Sequence, residues 1–244
     1  MNYKKALSHT IFKVISEAAN DLNVEAYVIG GFVRDFLLER GSHKDIDIVA
    51  IGSGIELAKA VSKKLPNQPK VQIFKTYGTA MLLFEDLEIE FVGARKESYN
   101  ENSRNPMVVT GTLEDDQNRR DFTINSMAFS LNKKHYGALV DPFNGLKDIE
   151  NKLIKTPLSP EVTYNDDPLR MLRAIRFATK LNFKIDNSSL KSIKSLSFRI
   201  KIITEERIVV ELNKILLTDK PSIGFTLLEK CGLLKYILPE ITSL

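Results

Sequence analysis

Tyr27-Val28-Ile29-Gly30-Gly31-Phe32-Val33-Arg34-Asp35 sets a short β-prone run against a double glycine, and the residues after it read as a helix over 32–39. A second strand follows in Lys44-Asp45-Ile46-Asp47-Ile48-Val49, then Ser53 as an N-cap and a helix over 55–65. Two β-α units therefore open the fold. Before them, Leu7, Ile11, Val14, Ala18 and Leu22 recur at spacings of three and four, which predicts one amphipathic helix over 4–22. After them the signal is β over 71–74, 80–84 and 88–92, the last two joined by the turn Glu85-Asp86-Leu87. The expected sheet is small and mixed, with an antiparallel hairpin.

Residues 94–117 are polar, with Arg95, Lys96, Arg104 and Pro106 but no periodicity, and they read as a loop of the length that is often functional or mobile. A helix is expected over 122–129 and a short strand at Leu139-Val140. Beyond Pro157 and Pro160 the pattern is helical only, over 167–180, 187–197, 205–217 and 222–237. The fold class expected is α+β: a mixed sheet flanked by helices in residues 1–155, followed by an all-α domain in residues 156–244.

Composition narrows the function classes. With 244 residues, 43% of them hydrophobic, the chain can bury ordinary cores. It has no apolar run of the roughly 20 residues a membrane span needs and no signal-peptide pattern behind Met1, so a cytoplasmic location is expected. A single cysteine, Cys231, and three histidines argue against a zinc site, so any metal should be oxygen-bound. Residues 1–150 carry 19 Lys+Arg against 21 Asp+Glu, whereas residues 151–244 carry 16 against 10. The second part is the better candidate for a polyanion surface, with solvated helix faces as the plain alternative.

Asp45 and Asp47 lie two apart on a strand, so both carboxylates project from one face and Ile46 and Ile48 from the other. Such a pair repels itself unless a cation intervenes, and hard oxygen ligands suit Mg²⁺, which keeps positions for water and phosphate. Asp-x-Asp alone is common on solvated strands; its neighbours give it weight. Gly30-Gly31 leaves backbone N–H groups open to a phosphate, with Arg34 in reach as a donor. Equally, the glycines could make only a tight turn and Arg34 could pair with Asp35 or Asp45. Glu88 and Glu90 share a face on the hairpin, and Glu90 is the candidate third acid, against simple solvent exposure.

Arg119-Arg120-Asp121 stands before the helix expected at 122, where phosphate and a ribose hydroxyl could be held, or where Asp121 could serve as an ordinary cap. In Asp166-Asp167-Pro168-Leu169-Arg170-Met171-Leu172-Arg173-Ala174-Ile175-Arg176, Leu169, Leu172, Ile175 and Thr179 trace one helical face, and Arg170, Arg173, Arg176 and Lys180 an adjacent one. Like charges in a stripe cost a few tenths of a kcal/mol per neighbour, by rough estimate, unless anions lie alongside. A triphosphate or an RNA backbone would remove that cost; a solvated basic face is the alternative.

Taken in order, Gly30-Gly31-Phe32-Val33-Arg34-Asp35, Asp45-Ile46-Asp47, Arg119-Arg120-Asp121-Phe122-Thr123-Ile124-Asn125, Asp166-Asp167-Pro168-Leu169-Arg170 and Glu206-Arg207-Ile208 resemble the class II tRNA nucleotidyltransferases (CCA-adding enzymes) and bacterial poly(A) polymerases. The resemblance runs from about residue 20 to Leu238-Pro239-Glu240, and Asp166 departs from it where relatives more often carry Glu. It implies a catalytic nucleotidyltransferase head, here 1–155, and a helical neck, here 156–244. It implies Asp45 and Asp47 as the ligands of two Mg²⁺ ions and as catalytic acids, beside which Glu90, from the hairpin pattern, stands as the candidate third. It further implies nucleotide binding by Gly30, Gly31, Arg34, Arg120, Asp121 and Asn125, base reading by Asp167 and Arg170, and a pocket lined by Arg173 and Arg176. Cytosine and adenine both present an amino donor beside a ring-nitrogen acceptor, so a carboxylate with a guanidinium can accept C and A and refuse U and G. The activity implied is untemplated addition of CMP and AMP from CTP and ATP to the 3′ end of tRNA, with release of pyrophosphate. The rival within the family is poly(A) synthesis; outside it stand a non-catalytic RNA-binding module and a transferase acting on small hydroxylated molecules. The 94–118 segment is expected to move between C and A addition. Relatives continue into helical body and tail regions, so a chain ending at Leu244 is expected to hold head and neck, with weakened tRNA affinity.

Overall fold

The computed structural model describes residues 2–41, 44–100 and 103–242, with side chains described outside 96–108 and 242. The chain divides into two compact units. One comprises Met1–Glu97, Val108–Arg120 and Ile124–Leu146; the other comprises Ser98–Met107, Asp121–Thr123 and Lys147–Leu244.

The first unit begins with a 3-10 turn, Lys4–Leu7, and helix α1, Thr10–Asp21. The single helix expected over 4–22 is thus broken at Ser8-His9. His9 takes an extended backbone and its Nδ1 accepts the Ile11 N–H at 3.3 Å, capping α1 in place of a continuing turn. Then come β1 (Ala26–Ile29), α2 (Gly31–Leu37), β2 (Asp45–Ala50), α3 (Gly54–Lys64), β3 (Val71–Phe74), β4 (Thr79–Phe84) and β5 (Leu87–Gly93). Ser53 caps α3 as expected, its Oγ accepting the Glu56 N–H at 3.2 Å. The β4–β5 turn is tighter than expected: Leu87 already pairs with Phe84, leaving Glu85 and Asp86 to turn, with Glu85 at positive φ.

The segment read as a loop over 94–117 instead carries two strands, β6 (Arg95–Asn100) and β7 (Ser103–Thr110), paired with each other, and helix α4 (Leu113–Asn118). The Lys96, Arg104 and Pro106 side chains lie outside those described. Helix α4 starts at a capping box, Thr112 with Asp115, a signal the sequence carries openly. The helix expected over 122–129 is also corrected: only Thr123–Ser126 is helical (α5), and Ala128–Ser130 is strand β8. Phe122, Ile124, Met127, Ala128, Phe129 and Leu131 are all fully buried. A run buried on every side carries no period to separate helix from strand. Strand β9 is Leu139–Val140 and α6 is Gly145–Glu150.

Seven strands form one mixed sheet in the order β3-β4-β5-β2-β1-β8-β9. Only β2 and β5 are parallel; the other pairs are antiparallel. Ile46, Ile48, Ile89 and Phe91 are buried on one face, where α3 packs through Leu57, Ala58 and Val61. A one-residue slip of β2 would expose Ile46 and Ile48, at about 1.5–3 kcal/mol each, and bury the aspartates instead. The apolar half of the strand therefore fixes where the acidic half points.

In the second unit β10 (Leu153–Ile154) precedes α7 (Pro160–Asp166), α8 (Leu169–Leu181), β11 (Lys184–Ile185), α9 (Asn187–Leu196), a 3-10 segment Ser197–Ile202, α10 (Glu205–Leu216), α11 (Pro221–Lys230), α12 (Leu234–Ile237) and α13 (Pro239–Thr242). Three details differ from the sequence reading. Helix α7 was not expected; the span expected over 222–237 is split at Gly232, where φ is +68°; and β11 interrupts the helices to pair in parallel with β10. Helices α8, α10 and α11 pack together. A Cβ at Gly224 on α11 would sit 2.4 Å from Ile215 Cγ2 and 3.0 Å from Thr179 Oγ1, so the glycine permits this close crossing.

Candidate active site

In the first unit the two aspartates meet a glycine turn. Antiparallel pairing sets Ile29 across from Asp47, so the turn at Gly30 arrives beside that carboxylate. Gly30 has φ +83°, and a Cβ there would lie 3.0 Å from Arg120 Nη1 and 3.2 Å from Asp47 Oδ2. A side chain would be both strained and obstructive. Parallel pairing then places Glu88 across from Asp45 and Glu90 across from Asp47, so four acids share one face of the sheet.

Their charges interact. Burial pushes the Asp47 carboxyl above the usual carboxylate range; Arg120 opposes this, while Asp45 and Asp116 add to it. Glu90 is raised likewise, first by burial and then by Asp47, against a hydrogen bond from Thr79 and the charges of Arg95 and Arg120. Negative charge is thus concentrated where a cation would relieve it. Among the described residues no group of three or more His, Cys, Asp or Glu is arranged to enclose a metal. What the face offers is hard carboxylate oxygen with open positions, which is the donor set Mg²⁺ accepts when water and phosphate complete its shell.

Arg34 is buried, and its Nε and Nη2 hold Asp35 at 2.7 and 2.5 Å while its Nη1 donates to Asn125 Oδ1 at 2.6 Å. The Asp35 pairing weighed in the sequence is therefore present, and Asn125 joins it. Arg119 and Arg120 do not precede a long helix; Arg119 is the C-cap of α4. Both grip Asp116, with Arg119 Nη2 at 2.5 Å and Arg120 Nε at 3.2 Å. Asp116 is fully buried and was missed in the sequence, although its spacing of three and four from the two arginines marks a helical acid-base pair.

In the second unit the arginine stripe of α8 finds its anions within the protein. Asp121 accepts the Phe122 N–H at 2.9 Å and Arg173 Nε at 2.7 Å, and it is the main reason the Arg173 guanidinium is held above its ordinary value. Glu211 of α10, 3% exposed, lies 3.8 Å from Arg173 Nη1, 3.7 Å from Lys214 Nζ and 3.1 Å from Arg176 Nε, the last off the hydrogen-bond line. Arg176 also lies over the Phe177 ring at 4.2 Å. Buried carboxylates of the protein therefore supply much of the stripe's counter-charge, where the sequence offered a triphosphate, an RNA backbone or solvent. Nothing in the sequence marks Glu211 beyond its place five residues after Glu206. Asp167 is held by the Leu169 N–H at 3.1 Å and by Arg207 Nη2 at 3.2 Å. Arg207 stands in the Glu206-Arg207-Ile208 motif, to which the sequence reading gave no role.

Residues 26–155 match the poly(A) polymerase head domain, and residues 182–244 match a probable RNA and SrmB-binding site of polymerase A. The chain belongs to the poly(A) polymerase head-domain family. It is 44% identical over 171 residues to an A-adding tRNA nucleotidyltransferase of Aquifex aeolicus, an alignment covering 70% of this chain and 20% of that enzyme. It is 33% identical over 236 residues to a CCA-adding enzyme of Staphylococcus epidermidis, covering 95% of this chain and 56% of the relative. Among solved structures, a tRNA nucleotidyltransferase complexed with a primer tRNA and an incoming ATP analogue superposes with a TM-score of 0.79 at 35% identity, covering 92% of this chain and 62% of that one. The chain spans about half the length of the CCA-adding relatives it matches. No helix among the described residues is long and apolar enough to cross a membrane.

Proposed function

We propose that this chain carries the catalytic and base-reading machinery of an untemplated RNA nucleotidyltransferase that adds CMP and AMP from CTP and ATP to the 3′ end of tRNA. The single observation that carries the reading is the register of β2: it sets Asp45, Asp47 and Glu90 on one face beside a glycine turn that leaves no room for a side chain. We assign residues 1–155 to the catalytic head and 156–244 to the neck. The solved relative with primer tRNA and an ATP analogue supports this choice of substrates.

In the reaction, the RNA 3′-oxygen bonds to the α-phosphorus, the α–β phosphoanhydride breaks, and pyrophosphate leaves with the electron pair. Asp45 and Asp47 would hold Mg²⁺, and the metal, when bound, supplies charge neutralisation at the triphosphate and a lower pKa for the attacking hydroxyl. Gly30, Gly31 and Arg34 lie along the phosphates. Arg120 adds positive charge from the Asp116 anchor, and Asn125 fixes Arg34. Asp121, still within the head, orients toward the ribose, and in the neck Asp167 and Arg170 read the amino donor and ring acceptor shared by C and A. Arg173 and Arg176 complete the nucleotide surface. Glu90 acts beside Asp47 as the third acid.

The test is incorporation of labelled CTP and ATP into a tRNA lacking its 3′ end. C addition followed by A is expected, and ATP runs without C would favour poly(A) synthesis. Asp47→Ala should abolish transfer while only partly reducing nucleotide affinity; unchanged transfer would remove the catalytic reading. The 44% identity to an A-adding enzyme favours a second reading, addition of A alone. That reading requires ATP incorporation on tRNA already ending in CC and no CTP incorporation at any end.

A further inference from the structure

The first unit holds an open cavity of about 860 Å³, lined by residues of α1 and its exit and by residues of the β8–β9 connection. It lies at the start of β1, beside Glu25 and Tyr27, whereas Gly30 and the acids belong to the other end of that strand. Its two walls differ chemically. The 3-10 turn Lys133–His135 contributes three consecutive basic side chains, all exposed, and among the described residues no carboxylate pairs with them. Asn20, Asn23 and Glu25 line the same cavity. Burial, and then the hydrogen bond in which Glu25 Oε2 accepts the Tyr27 hydroxyl at 2.6 Å, hold that phenol well above its ordinary value. The last turn of α1 also lines this wall, and its carbonyl end favours donors over anions.

We propose that this cavity is a second nucleotide site, distinct from the acidic face, in which the phosphate meets Lys133, Lys134 and His135 and the sugar or base donors meet Asn20, Asn23 and Glu25. A bare anion would satisfy only the basic wall and would meet Glu25 and the helix carbonyls on the other. A neutral base or sugar would leave the two lysine ammonium groups without an anion. A phosphorylated nucleoside satisfies both, and the volume falls within the roughly 300–1,000 Å³ usual for small-ligand sites. The nucleoside phosphate can be free or one unit of an RNA strand; the chemistry is shared. The inference rests on this cavity alone and stands whether or not the acidic face transfers nucleotides.

The experiment follows backbone amide shifts of Asn20, Asn23 and residues 133–135 by heteronuclear NMR in magnesium-free buffer, titrating the 244-residue chain with CMP, with inorganic phosphate and with a short RNA lacking terminal phosphates. CMP is expected to shift both walls and to bind at least tenfold tighter than phosphate. Lys133→Glu with Lys134→Glu should weaken that shift at least tenfold while leaving any CTP incorporation within twofold of wild type. RNA binding tighter than CMP, with steep salt dependence, assigns the site to a strand; CMP binding tighter than RNA assigns it to a free nucleotide. No shift of either wall with CMP, equal binding of CMP and phosphate, or indifference to the double substitution would overturn the proposal.

Discussion

Gly30 lies tight against the Asp47 carboxylate: a Cβ on Gly30 would stand only 3.2 Å from Asp47 Oδ2, closer than ordinary van der Waals contact. Gly30→Ala therefore has to move the carboxylate, and it must also hold alanine at φ +83°, a strain of about 1–2 kcal/mol for an L-residue. Transfer should fall at least tenfold, with a modest drop in thermal midpoint. Full activity in a correctly folded Gly30→Ala variant would show that Asp47 does not need this geometry.

Glu211 sits buried among Arg173, Arg176 and Lys214. Glu211→Gln keeps the shape and removes the charge, leaving like cations facing one another. Breaking a buried pair on one side costs about 3–5 kcal/mol, and the lower end is expected because Arg173 and Lys214 reach solvent. Urea unfolding measures this, and an unchanged midpoint would mean that Glu211 contributes no net stability.

Asp167 offers one carboxylate already ordered by Leu169 and Arg207. Asp167→Ala should relax discrimination against UTP, since the acceptor that refuses a carbonyl is gone. The ratio of kcat/KM for CTP over UTP is the readout. If that ratio holds, base reading belongs to another residue.

Asp186 caps α9, accepting the Ser188 N–H at 2.9 Å and the Ser189 N–H at 3.4 Å as well as the Ser188 hydroxyl. Burial works against its charge, but these hydrogen bonds win and hold the carboxyl below its usual range. Asp186→Ala should cost about 1 kcal/mol at neutral pH. Because the folded value is depressed, the ionic part of that difference is present above the unfolded value near about pH 4 and disappears as pH falls through the folded one. A wild-type advantage that grows on acidification would contradict this.

The acidic face was legible because β2 alternates with period two, and Ile46 and Ile48 declare its buried side. The glycine turn was legible from the residues alone. Segment 122–131 was not, since burial on every side erases periodicity. The break at Ser8-His9, ahead of α1, was hidden because histidine is an unusual cap. The counter-charges of the α8 stripe were hidden for another reason: Asp121 and Glu211 reach Arg173 from distant parts of the chain, and no local spacing records a contact made only by folding.

The antiparallel run of β1 against β2 has one more consequence, for how such a sequence can change. Ile29 ends β1 and Asp45 begins β2, and the register across these strands, not the length of the return between them, places the aspartates, so that length is free to drift. Within 45–48 the same freedom is absent. A single inserted residue there reverses odd and even, sending isoleucines to the substrate side and aspartates into the interior. Insertions should accumulate in the return and be purged from the strand, so that one segment tolerates any count and its neighbour only an even one.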